Sequence, residues 1–133
     1  MIFLDTDILS YFFVGNNQIR ENLLSSIEKG EQIAMTSINI YEVLKGLKHR
    51  NNLSKEKQFI TFLNSILVFT LDSVAITEAA NIYAESRKHG NPIGDADILI
   101  AAIVISNNGI LVSNNVRHYS HIENLRLINW MGL

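Results

Sequence analysis

Eight consecutive apolar residues, Ile98–Ile105, follow directly on Gly94-Asp95-Ala96-Asp97. The run is far shorter than the roughly 20 residues needed to cross a bilayer. Read as a helix it is apolar all round, and such a helix must be covered all round. A fold that holds it therefore needs layers on more than one side. The rest of the chain offers them. Met1–Leu4, Gln32–Met35, Leu67–Leu71, Gly109–Val112 and Leu125–Ile128 are short apolar runs of the kind that form strands buried in a sheet.

Helical patterns lie between these runs. Asp5 or Thr6 stands where it would cap a short helix over Ile8–Phe13. Ile40, Val43, Leu44 and Leu47 follow the spacing of one apolar helix stripe, and Ile76, Ala79, Ala80 and Tyr83 repeat it. Asp72 or Ser73 can cap the second of these and Gly90 can end it; Ser54 can cap a further helix through Phe59, Phe62 and Leu63. Strands alternating with helices predict an α/β domain whose mostly parallel sheet is covered on both faces. Pro92 is the only proline, and no repeat or Gly/Ser/Pro-rich stretch divides the chain, so residues 1–133 are expected to form one domain.

Composition narrows the chemistry. The absence of cysteine removes disulfide scaffolds, thiol nucleophiles and iron–sulfur clusters, and fits a reducing compartment. The N-terminal run is interrupted by Asp5 and Asp7 with no basic residue before it, a poor signal peptide. A soluble cytoplasmic domain with no membrane association is expected. Thirteen acidic residues against eleven Lys and Arg give a net charge of −2, which argues against a non-specific nucleic-acid coat. An enzyme acting on RNA through a local patch remains compatible with it.

Three groups of carboxylates carry potential chemistry. Asp5-Thr6-Asp7 follows the first strand, at the strand end where ligands collect in open α/β sheets. A helix cap accounts for one of these residues; a second aspartate points to a metal or phosphoryl site, because hard cations prefer carboxylate oxygen. Asp95 and Asp97 open the apolar helix, with Asp95 expected as its cap and Asp97 as the inward-facing group. Glu42 lies off the Ile40–Leu47 stripe. A solvated ion pair with Lys45 is its plain reading, yet Ile38 and Gly46, one turn to either side, are not typical of a wet face. Gly46 in a helix suggests close approach of another segment. His49, His89, His118 and His121 show no zinc spacing, and His118 with His121 lacks a third nitrogen or sulfur ligand. Lys45, Lys48, Arg50, Lys55 and Lys57 read as helix surface or as a track for phosphates.

Taken in order, MIFLDTDIL, SINIYEVLKG, IGDADILIAA, ILVSNNVRHY and LRLINW resemble the PIN-domain ribonucleases, and most closely the VapC-type toxins of toxin–antitoxin pairs. The resemblance spans nearly the whole chain. It implies a three-layer α/β/α sandwich, a metal-dependent endoribonuclease (often directed at tRNA), a cognate antitoxin that blocks the site, and a homodimer. The family's acidic triad falls on Asp5, Glu42 and Asp97. Where many relatives carry a fourth acid, this chain has Ser113-Asn114-Asn115, and Asn115 brings no charge to hold a second metal.

Three carboxylates can share a small pocket only if a cation offsets their repulsion or their pKa values rise. Mg²⁺ or Mn²⁺ suits oxygen ligands and retains waters, one of which can become the nucleophile. Asp5 and Asp97 are the expected metal ligands, and Glu42 the group that orients or deprotonates the water. Two alternatives stand beside this reading. Asp5-Thr6-Asp7 also suits a HAD-type phosphatase, with Asp5 as nucleophile and Asp7 as acid/base, although no lysine follows Lys88. A non-catalytic PIN-like binding module is the other.

Overall fold

Neighbouring residues of the first strand, β1 (Ile2–Leu4), enter two different cores. The chain is seen here as a computed structural model that describes residues 1–132. Ile2 and Leu4 point to one side of the sheet and Phe3 to the other, as the period-two geometry of a strand requires. The same division separates Ile33 and Met35 from Ala34 in β2 (Ile33–Thr36), and Val112 from Leu111 in β4 (Ile110–Val112). With β3 (Leu67–Phe69) and β5 (Arg126–Ile128) they form one sheet in the order β3-β2-β1-β4-β5, every pair parallel.

Helices cover both faces. On the side of Ile2 and Leu4 lie α1 (Thr6–Phe13), α2 (Asn17–Glu28), α3 (Ser37–His49) and α4 (Leu53–Leu63), which contribute Ile8, Leu9, Ile19, Leu23, Leu47 and Phe59. Phe12 and Phe13 pack edge-on or tilted against Phe59 and Phe62, with ring centroids 5.7–6.2 Å apart between the helices. On the side of Phe3 lie α5 (Ser73–Lys88) and α6 (Asp95–Ser106), followed by the short α7 (Val116–Tyr119). The apolar run is the middle of α6, and Ile98 and Ile100–Val104 are all buried. The three-layer α/β/α arrangement is the one expected.

One glycine serves a close approach. A Cβ on Gly109 would run into the Phe3 ring, so the residue before β4 must have no side chain for Phe3 to fill its core. Gly90 has φ +71° and ends α5 as anticipated.

Several local expectations need correction. The cap of α4 is Asn52, which accepts from the Lys55 amide, because the helix starts before Ser54. Gly94, not Asp95, is the N-cap of α6; Asp95 is already helical and exposed. The close approach expected at Gly46 is not what its missing Cβ serves, since the three nearest atoms to one there belong to Arg50, the C-cap of α3. The sequence pattern assigned no element to Asn17–Glu28, where only Ile19 and Leu23 are buried and the apolar stripe is correspondingly thin.

The topology places the site. From β1 the chain adds β2 and β3 on one side, then returns to add β4 and β5 on the other. The order therefore reverses beside β1, and the crevice beyond the carboxyl ends of β1 and β4 is the usual ligand position in such sheets.

Candidate active site

Asp5 occupies that crevice and does two jobs. It is the N-cap of α1, its Oδ1 accepting from the Thr6 amide at 3.0 Å. The same oxygen accepts from Asn39 Nδ2 at 2.9 Å, and Oδ2 accepts from Ser113 Oγ at 2.6 Å. A helix cap and a place in the crevice are thus compatible in one residue. The residue is 4% exposed. Burial pushes its carboxyl above the ordinary aspartate value, the three hydrogen bonds oppose that shift, and the charge of Asp97 adds to it.

A polar chain connects Asp5 to Glu42. Thr36 caps α3 by accepting from the Asn39 amide, and its hydroxyl donates to Asn39 Oδ1 at 2.7 Å. With its carbonyl so occupied, Asn39 aims its amide at Asp5 and at Thr6 Oγ1, the latter at 3.0 Å. The Thr6 hydroxyl then donates to Glu42 Oε1 at 2.7 Å. Glu42 is half-buried and turned toward α1. The solvated pair with Lys45 does not form; Lys45 Nζ lies 5.1 Å from the centre of the Tyr41 ring.

Asp97, in the first turn of α6, is held from the opposite side. Tyr119 donates to its Oδ1 at 3.2 Å and stands 3.5 Å from Asp5 Oδ1, so a single phenol lies between the two aspartates. Burial, then the negative charges of Asp5 and Asp97, push the Tyr119 pKa far upward, which keeps its hydroxyl a donor. His118 Nδ1 lies 3.0 Å from Asp97 Oδ2.

Asp7 completes the wall. Its Oδ2 accepts from the Asn114 amide at 3.0 Å, while its buried Oδ1 has no hydrogen-bond partner. Burial first, and the Asp5 charge second, push its carboxyl up to about 6. Asp5, Asp7, Glu42, Asp97 and Asn115 all line one open cleft of about 400 Å³, with Lys45 at its edge. Asp95 does not line it. Among the described residues no three His, Asp or Glu side chains stand close enough to cage an ion by themselves.

The expected triad therefore reaches one cleft, but spacing along the chain missed the groups that hold it. Asn39 was detectable in principle, one helical turn before Glu42. His118 and Tyr119 were not: they meet Asp97 across 21 and 22 positions, and only the docking of α7 on α6 brings them there.

The model of the PIN-domain family matches residues 2–124. The chain belongs to the PIN-domain family. It is 31% identical over 129 residues to a protein of Haemophilus influenzae named Ribonuclease VapC2, covering 96% of both chains. It is 27% identical over 128 residues to the tRNA(fMet)-specific endonuclease VapC of Shigella flexneri, again over 96% of each. Among solved structures, VapBC2 from Rickettsia felis, bound to a DNA fragment from its promoter, has a chain that superposes with a TM-score of 0.90 at 28% identity. That match covers 98% of this chain and 99% of the other. This PIN-domain membership removes the basis for the phosphatase reading of Asp5-Thr6-Asp7. No helix among the described residues is long and apolar enough to cross a membrane.

Proposed function

We propose that this PIN-domain chain is a metal-dependent endoribonuclease, the toxin of a toxin–antitoxin pair, with tRNA as its substrate class. The observation that carries the reading is the meeting of Asp5, Glu42 and Asp97 in one cleft beyond β1 and β4. The all-oxygen donor set and the unpaired buried Asp7 Oδ1 fit a hard cation. Asp5 and Asp97 would hold Mg²⁺ or Mn²⁺. Two carboxylates suffice for Mg²⁺, which commonly completes its shell with waters and substrate phosphate. Bound there, the ion would polarise a water and offset charge on the scissile phosphate.

The protein's own groups define the rest. Glu42 Oε1 is occupied by Thr6, which leaves Oε2 to take the proton of the attacking water. The water oxygen bonds to phosphorus, the bond to the leaving ribose oxygen breaks, and that oxygen takes up a proton from solvent, to which Glu42 returns its own. Tyr119 and Ser113 hold Asp97 and Asp5 as neutral donors, adding no cation that would compete with the metal.

The partner reading rests on likeness and on a groove. The VapBC2 neighbour supports a cognate antitoxin. A hollow of about 410 Å³ beside the cleft, walled by Leu9, Phe13, Val43 and Leu47 and edged by Arg50 and Lys55, suits an apolar peptide segment. A homodimer in the cytoplasm completes the proposal, and light scattering at tens of micromolar checks the dimer.

Activity is tested with the purified, antitoxin-free protein and a tRNA pool. Cleavage with Mg²⁺ or Mn²⁺, and its loss in EDTA, is expected. Asp5→Asn and Asp97→Asn should each slow it by at least ~10²-fold, the scale of removing one main electrostatic group. Asp95→Asn, outside the cleft, should change it little. Full activity in Asp97→Asn would overturn the assignment.

A further inference from the structure

On the far side of Asp97 from the acidic cleft lies a second hollow of about 400 Å³. Its floor is the loop Gly90–Gly94, and its wall is formed by Arg117, His118 and His121 with Asp97 shared between the two spaces. The contrast in charge is sharp. The cleft holds Asp5, Asp7, Glu42 and Asp97 against one lysine, whereas Asp97 is the only acid in this hollow. Arg117 is exposed and forms no ion pair among the described residues. One of the three side chains is already aimed: His118 turns Nδ1 to Asp97, which leaves Nε2 on the opposite edge of the ring.

We infer that this hollow is a subsite for a backbone phosphate of the RNA next to the scissile one, held by Arg117 with His118 and His121. The inference rests on the RNA-cleavage reading given above and adds the direction in which the strand leaves the cleft. A strand crossing the acidic centre carries a charge at every nucleotide, and the phosphate beside the reacting one needs donors where the reacting one has a metal. Asp97 marks the boundary. An acidic protein segment is the competing occupant; the strand is favoured because Asp97, shared by both spaces, makes the hollow continuous with the acidic cleft.

Arg117→Gln and His121→Gln are the test variants, with Lys29→Gln as control, because Lys29 ends α2 ahead of β2, at the end of the strands away from the cleft. Steady-state cleavage of tRNA should show KM raised by about tenfold in Arg117→Gln with kcat nearly unchanged. RNA binding is measured by fluorescence anisotropy in an Asp5→Asn background across a salt series. The slope of log K against log salt should fall by about 0.7 when Arg117 is replaced, the value of one single-strand phosphate contact. His121→Gln should weaken binding less, and Lys29→Gln should match the parent. Circular dichroism melts verify that each variant is folded. Wild-type protein that neither binds nor cuts RNA overturns the nuclease reading and the subsite together. Active wild type, with Arg117→Gln indistinguishable from Lys29→Gln in KM and salt slope, overturns the subsite alone. Loss of binding to an acidic peptide with RNA binding intact does the same.

Discussion

The Thr6 hydroxyl donates to Glu42 Oε1 at 2.7 Å while its own oxygen accepts from Asn39 Nδ2 at 3.0 Å. A hydroxyl has one proton, so the Asn39 bond settles its direction and leaves that proton for Glu42. The contact ties the segment after β1 to the middle of α3, 36 positions away. It also selects which carboxylate oxygen of Glu42 remains free.

Thr6→Val keeps the shape of the side chain and removes the donor. It should lower kcat about tenfold, with a melting temperature close to wild type because the site is partly open to water. Thr6→Ser should recover most of the rate. Full activity in Thr6→Val would mean that the hydroxyl is not what matters.

Asn39 is fully buried and bonds on both ends of its amide. Asn39→Ala strands the Thr36 hydroxyl and removes a donor from Asp5, so a loss of roughly 2–3 kcal/mol is expected in urea titration. Asn39→Asp should fare no better, since it sets a second carboxylate beside Asp5. Near-wild-type stability in both would show that water replaces the amide without cost.

Asp7 predicts the pH dependence of the metal-free protein. Its folded carboxyl is pushed up to about 6 from an ordinary value of 3.8. Between these values the folded state binds more proton than the unfolded, so stability falls as pH rises through that window and is regained on acidification. The raised Asp5 carboxyl acts in the same direction. Asp7→Asn retains an acceptor for the Asn114 amide and removes the charge. It should stabilise the metal-free protein at pH 7.5 by on the order of 1 kcal/mol, after discounting for solvent screening. The rise in melting temperature from pH 7.5 to 5 should flatten. A variant less stable than wild type at pH 7.5 would contradict this.

The cleft also separates what reads from sequence and what does not. The five strands, the all-round apolar α6 and the stop at Gly90 follow from periodicity and local backbone preference, which act over a few residues and leave their pattern in the string. Asp5 and Asp97 stood out by their place beside apolar runs, whereas Glu42, which read as a solvated ion pair with Lys45, joined them through the resemblance to the PIN-domain ribonucleases. Tertiary structure alone decided what those carboxylates touch. Ser113 reaches Asp5 across 108 positions, and Tyr119 reaches Asp97 across 22, through parallel strand order and helix docking. Hydrogen bonds need donor and acceptor aligned to within a few tenths of an ångström, and no periodicity encodes that. The orphaned Asp7 oxygen and the hollow that Asp97 shares with Arg117 arise likewise, where segments distant in sequence enclose a common space.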